Sequence, residues 1–251
     1  MAGGAIAASV GGVEWLRFRG EGKLVGTVPF DDQGRAPLDT PVDEELDGRQ
    51  YTDLSHLDRD LLITPTAQFY IRTRVSHLLG TGKPWSIRAG NLRISMDGLK
   101  SQAQPQGVHL MECAGNTRAA SFGMISVAQW DGVPLAALLD RAGFAKKARI
   151  PVSGFDEYSA PPQTPSIPGA SWIFSRQDID GSRAFLAIAM NGQPLTPDHG
   201  APVRLALPGW YGCACIKWVN EIRAVDESAE ATSQMKKYAA RTHQHGRHLQ
   251  D

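Results

Sequence analysis

Apolar positions along the chain come in short runs broken by turns. LRISM at 92–96, VHLME at 108–112, SWIF at 171–174, AFLAIAM at 184–190 and VRLAL at 203–207 have the length of strands. One helical pattern stands out. Pro134 fits a first helical turn, Leu135, Leu138, Leu139 and Ala142 recur at i, i+3, i+4 and i+7, and Gly143 can close the helix. Strands outnumber helices, they do not alternate with them, and no repeat period is visible. The pattern therefore predicts one α+β domain, β-rich with mixed sheets and short helices, the helix at 135–142 packing on a sheet.

The two ends lack this periodicity. Residues 1–59 read as an irregular arm, because 20–60 is rich in Gly, Pro and Asp. The opening MAGGAIAASVGGVEW lacks the basic start and full apolar run of an export signal. Read as the remnant of a truncated signal, it predicts a periplasmic protein, with the cytoplasm as the alternative. Residues 226–251 read as a polar tail, and His243, His245 and His248 within it as solvated residues rather than a metal site.

Composition narrows the function classes. With 26 basic and 26 acidic side chains the net charge is zero, so no long-range field recruits nucleic acid or an anionic membrane. The longest apolar runs fall well short of the roughly 20 residues that span a bilayer. Three cysteines, Cys113 and the close pair Cys213 and Cys215, make no disulfide framework.

The chemistry concentrates in a few motifs. In HLMECAGNTR a cysteine ends an apolar strand and a small-residue turn follows it. Strand parity sets Val108, Leu110 and Glu112 on one face and His109, Met111 and Cys113 on the other. A lone cysteine there is either buried packing or a ligand held by a rigid element. MNGQPLTPDHGAPVRLALPGWYG spends Gly, Pro, Asn and Asp on successive turns before a strand in which Arg204 points away from Val203, Leu205 and Leu207. Arg204 is thus either a solvated face or, with His199, a fork for an anion. In CACIKWVNEI, Ile216, Trp218 and Ile222 share a face, and Lys217 is either surface charge or a second clamp. FYIRTR adds Arg72 and Arg74 on one face, and Arg118 follows Cys113 closely. Together these cations form a candidate anion site within a neutral chain. Cys213 and Cys215 are, alternatively, a redox or chelating pair.

LITPTAQFYIRTR, MECAGNTR, ISVAQWDGVPLAALLDRAGF, MNGQPLTPDHGAPVRLALPGWYG and IKWVNEI, in this order over roughly residues 60–225, resemble the molybdopterin domain of the sulfite oxidase family, which includes plant-type nitrate reductases. The resemblance implies a catalytic domain at 60–225 with one molybdenum-molybdopterin per chain, no haem, and Cys113 as the protein's sulfur ligand to the metal. It places Tyr70, Ile71, Arg72, Thr73, Arg74, Asp156, His199, Arg204, Cys215, Ile216 and Lys217 at the pterin and its phosphate. Arg72 and Arg118 also match arginines facing the substrate oxyanion. The implied activity is oxidation of sulfite or a related sulfur compound by oxygen-atom transfer, with electrons passed to a separate carrier protein such as a cytochrome. Two alternatives are a reductase of a sulfoxide or similar oxide on the same centre, and a non-catalytic binding module. The chain departs from the family where Pro168 replaces a substrate-facing tyrosine and where the short loop TRAASFGM carries no pocket tryptophan, Trp130 belonging to the later QW motif. The family's dimerisation domain would follow residue 225, where 26 residues remain, which leaves the oligomeric state open.

Overall fold

The alternation read around Cys113 is realised as a long antiparallel hairpin. Strand β3 (Gln104–Glu112) runs against β4 (Ile125–Pro134), pairing Val108 with Gln129, Leu110 with Val127 and Glu112 with Ile125. Val108 and Leu110 are half exposed while Met111 and Cys113 are buried, so successive residues alternate between solvent and core. The computed structural model describes residues 50–56, 60, 62–73, 84–117, 122–154, 170–238, 243–244 and 247–248, all belonging to one unit that spans 33–251. Most of the expected arm, 1–49, lies outside the described residues.

Two five-stranded sheets carry the fold. One runs β3-β4-β7-β8, where β7 is Phe185–Met190 and β8 is Gln193–Pro194, and β9 (Arg204–Ala206) also pairs with β7. The other has the order β2-β1-β10-β5-β6, built from Leu92–Ser95, Ser86–Ala89, Val219–Ile222, Arg149–Gly154 and Ser171–Ser175. Its β1 and β10 are parallel and its other pairs antiparallel, which makes the architecture mixed and β-rich as the pattern predicts. Strand β4 does not read as an apolar run, because Ser126, Gln129 and Asp131 interrupt it and its register shifts between Asp131 and Gly132.

The helices are short and locally capped. Besides α1 (Met96–Lys100), capped by Ser95, the predicted helix is α2 (Leu135–Arg141), with Leu135, Leu138 and Leu139 buried and Gly143 beyond its end at φ 76°. Helix α3 (Arg176–Ser182) starts in a capping box between Ser175 and Asp178. It ties to α2 through the buried Arg176, whose guanidinium lies 2.8 Å from Asp140 and 2.9 Å from Asp180.

The hairpin turn Asn191-Gly192 has φ of 53° and 73°, the left-handed pair that a tight β7–β8 connection needs. Asn191 also accepts from the Gln129 N–H at 3.0 Å and donates to Thr64 O at 3.0 Å and Thr66 Oγ1 at 3.2 Å. The irregular segment 62–73 is thereby tied to β4, and the Tyr70 N–H reinforces the tie by donating to Ser126 Oγ at 3.0 Å.

The segment read as a polar tail differs from that reading over part of its length. Helix α4 (Ser233–Tyr238) lies against β6: Thr232 Oγ1 donates to Ser171 O at 2.7 Å, and the Ile173 N–H donates to Met235 Sδ at 3.3 Å. A six-residue helix with two apolar residues on the core, Met235 and Tyr238, is too short to register as a period. Farther on, β11 (His243–Gln244) pairs with β12 (Arg247–His248), setting His243 opposite His248, and His245 lies outside the described residues. No helix among the described residues is long and apolar enough to cross a membrane.

Gly132 sits where β4 shifts register against β7, and a Cβ built there falls 2.2 Å from Leu186 O and 2.9 Å from Ala187 Cα, both backbone atoms. Gly132→Ala is expected to cost about 2 kcal/mol of overpacking strain and to lower the Tm by roughly 4–8 °C; an unchanged melting curve refutes this account of the bulge.

Candidate functional site

The end of β3 hands the chain to a turn that presents Cys113. The Cys113 N–H still donates to Met124 O at 2.9 Å, continuing the ladder, and then the chain turns back so that the Asn116 N–H donates to Cys113 O at 2.9 Å. Asn116 locks the turn from its side chain. Its Nδ2 donates to Glu112 Oε1 at 3.0 Å, and its Oδ1 accepts from the Met124 N–H at 3.0 Å. The thiol itself accepts the Gly115 N–H at 3.3 Å. A cysteine so placed is fixed before any ligand arrives.

A cleft opens beside this turn, walled by several separate pieces of chain. Tyr70, Ile71, Arg72 and Thr73 come from the segment tied to β4, and His199 and Arg204 from the turns before and within β9. Cys215, Ile216 and Lys217 come from the loop leading to β10. Every predicted site residue that falls among the described residues lines this one cleft with Cys113. Arg74, Arg118 and Asp156 lie outside the described residues, as does Pro168.

Arg204 is the unusual member. The alternative of a solvated face does not hold, because Arg204 is 5% exposed: β9 is covered on both faces, so strand parity sends no side chain to water. Its guanidinium donates to His199 O at 3.1 Å, to Cys215 O at 3.3 Å and to Met111 Sδ at 3.1 Å, and lies 5.7 Å from the Trp130 ring centroid. All these partners are neutral. No carboxylate pairs with it, and its Nε–H has no hydrogen-bond partner, among the described residues. Burial pushes its proton affinity down from the usual arginine range. Arg176, equally buried, shows the ordinary solution, with carboxylates on two sides. Arg204 lacks that compensation and suits an incoming anion.

The other polar groups are set as neutral donors or clamps. Thr196 caps the turn Pro197–His199, and its hydroxyl meets His199 Nδ1 at 2.7 Å while Nε2 faces Phe69 O at 3.2 Å. A carbonyl only accepts, so Nε2 carries the proton and Nδ1 accepts from Thr196. Burial above all, then Arg204 and Lys217, lowers His199 to about 4 and keeps the ring neutral. Burial, then Cys113, raises the Tyr70 phenol well above its usual range, so it too stays a neutral donor. Lys217 Nζ donates to Asp198 O at 2.9 Å and to Thr73 O, bridging two walls, and lies over the Trp218 ring.

Close backbone approach shapes the cleft. A Cβ on Gly212 would stand 2.4 Å from the Tyr70 hydroxyl, and one on Gly200, at φ 103°, would press on Arg204 and Lys217 at 3.0 Å. Trp218 holds φ 53°, a strained conformation for an aromatic residue, beside Lys217. Cys213 and Cys215 are buried free thiols. Burial raises both, Cys113 adding to the rise at Cys213, so both remain protonated near neutrality. Among the described residues no three of His, Cys, Asp and Glu converge on a metal cage. A metal here would bring most of its ligands with it. One protein sulfur, a buried uncompensated guanidinium and neutral donors fit an anionic metal-bearing cofactor.

Sequence reasoning missed Gly212, Trp218, Gln234 and Tyr238 as cleft residues. The GWYG and KW motifs carried a signal for the first two. Gln234 and Tyr238 sit in the presumed tail, where no motif marked them.

The family described as oxidoreductase molybdopterin binding domain matches residues 85–233. Mitochondrial sulfite oxidase of Homo sapiens is 31% identical over 163 residues, covering 59% of this chain and 29% of that protein. Nitrate reductase [NADH] 1 of Nicotiana tabacum is 27% identical over 208 residues, covering 71% of this chain and 22% of that protein. The chain thus spans less than a third of the length of these relatives. A solved structure, that of the sulfane dehydrogenase SoxCD from Paracoccus pantotrophus, shares the fold at a TM-score of 0.57 and 22% identity, covering 74% of this chain and 52% of that one.

His199 links the site to stability. Unfolded, its ring takes a proton near the ordinary value of about 6.5, whereas folded it resists down to about 4. Its contribution is therefore complete above 6.5 and is lost as pH falls through that window. Urea unfolding across it should show wild type losing stability faster on acidification than His199→Gln; parallel losses would assign the acid sensitivity elsewhere.

Proposed function

Because the chain belongs to the oxidoreductase molybdopterin binding domain family, we propose that it is a molybdenum-cofactor enzyme that oxidises sulfite or a related small sulfur compound. Its electrons then pass to a separate carrier protein such as a cytochrome. The observation that carries this reading is Arg204, a buried guanidinium without a carboxylate among the described residues, lining the same cleft as Cys113. When bound, the cofactor supplies oxygen-atom transfer coupled to a two-electron change at molybdenum, one metal per chain.

The chain's own residues bind and orient. Cys113 would offer its thiolate to the metal, a soft, electron-rich donor already aimed by Asn116 and the Gly115 N–H. Arg204 and Lys217 would hold the pterin phosphate, Arg204 gaining the counter-charge it otherwise lacks. Neutral His199 and Tyr70, with the backbone of Ile71, Thr73, Cys215 and Ile216, would meet the polar edge of the ring, and Arg74 and Asp156 belong to the same set. Arg72 and Arg118 would lower the cost of bringing an oxyanion to the metal and hold it in line. The sulfite oxidases among the relatives support sulfur as the element acted on.

Protein from a cofactor-competent host should carry about one molybdenum per chain and reduce ferricyanide in the presence of sulfite. Activity confined to the reverse assay, sulfoxide-dependent oxidation of a reduced viologen, would make it a reductase; no bound molybdenum would make it a binding module. Cys113→Ser should lower turnover by more than about a hundredfold, because losing even a group that only orients a metal ligand costs 10–100-fold. A near-normal rate in this variant removes the thiolate from the metal.

A further inference from the structure

All three cysteines of the chain are free and buried, and all three line the cleft. The function proposed above uses the sulfur of Cys113 and only the backbone of Cys215. It gives the thiol of Cys213 no part.

The loop that carries Cys213 is laid against the Cys113 turn. The Gly212 N–H donates to Glu112 O at 2.6 Å, and a Cβ on Gly212 would stand 3.7 Å from Cys113 Cα. Cys213 directly follows one member of that hydrogen bond and Cys113 the other, so the two cysteines flank one close approach of backbone. Backbones joined in this way lie about 5 Å apart, and a disulfide spans Cα atoms roughly 4.4–6.8 Å apart.

The loop then turns tightly. The Ala214 N–H donates to Tyr211 O at 3.0 Å and the Cys215 N–H to Gly212 O at 3.1 Å. This turn gives the two sulfurs of Cys213-Ala214-Cys215 different neighbours. The Cys215 sulfur meets the Leu207 N–H and the charge of Arg204. The Cys213 sulfur feels Cys113 ahead of Cys215, and Arg204 does not act on it. Of the pairings open to three cysteines, 113 with 213 is the one the fold prepares.

We propose that Cys113 and Cys213 form a disulfide in the cofactor-free protein, a reversible cap on the sulfur that the metal needs. The capping role rests on the function proposed above, whereas the bond itself does not. With hydrogen peroxide as oxidant, one thiol becomes a sulfenic acid and releases a water, and the other sulfur then attacks it and releases a second water. Two S–H bonds break, one S–S bond forms, and the electron pair reduces peroxide to two waters. A dithiol reductant reverses the step by exchange and ends as its own disulfide. Until then Cys113 has no sulfur to offer a metal, so cofactor insertion must follow reduction.

The test uses full-length protein from a host unable to make the cofactor, treated with hydrogen peroxide, then quenched, denatured and assayed for thiols. The count should fall from three to one, the mass should drop by two hydrogens, and dithiothreitol should restore every thiol. Cys213 and Cys215 share one tryptic peptide, so variants assign the bond: Cys215→Ala should lose both of its remaining thiols and Cys213→Ala should keep both. Oxidised protein supplied with molybdenum cofactor should take up the metal only after dithiothreitol. Three surviving thiols, oxygen added to Cys113 in place of a bond, or equal thiol loss in Cys213→Ala overturns the proposal. Protein already loaded with molybdenum should keep all its thiols through the same treatment. If it forms the bond as readily, the ligand role of Cys113 fails and the capping role with it, while the disulfide itself stands.

Discussion

A guanidinium enclosed by two carbonyl oxygens, a thioether and an indole face is the constraint around which this structure is arranged. Arg204 is carried into the interior by β9, and its partners come from β3 through Met111, from β4 through Trp130, and from two loops through His199 and Cys215. An isolated charge in such surroundings is costly. The fold meets that cost with fixed neutral dipoles rather than with a carboxylate, which leaves the charge available to a ligand. Cys113, Lys217 and the neutral donors His199 and Tyr70 take their significance from lining the same cleft as that charge.

What sequence alone disclosed follows from how periodic each element is. The face carrying Met111 and Cys113 was legible because β3 is an edge strand of its sheet with one side open to solvent, so alternation survives. Helix α2 was legible for a similar reason, its three buried leucines forming a stripe. Arg204 was not, since parity predicts opposite directions and not burial, and β9 has no wet side. Strand β4 was hidden by its polar residues and bulge, and α4 by its brevity. Bringing the cleft's residues together from separate segments was beyond periodicity; the motif resemblance pointed to it, and only the folded geometry displays it.

The irregular parts of the site are held by side chains bonded to backbone, not by regular ladders. Asn191, in the β7–β8 turn, fastens the Thr64–Thr66 stretch, and Ser126 holds Tyr70. Asn116 does the same for the Cys113 turn. Each replaces hydrogen bonds that loops cannot make with themselves, so rigidity around Cys113 depends on polar residues that do not themselves line the cleft.

The glycines of this chain carry one more implication. Gly154 would place a Cβ 1.9 Å from Lys217 O, and Gly212 would place one against the Tyr70 hydroxyl. In a saturation scan both positions would be about as intolerant as Cys113 itself, though neither contributes a functional group. A map of mutational sensitivity would therefore outline the backbone contacts that shape the cleft together with the atoms that react in it, and only chemical rescue or ligand binding would tell the two apart.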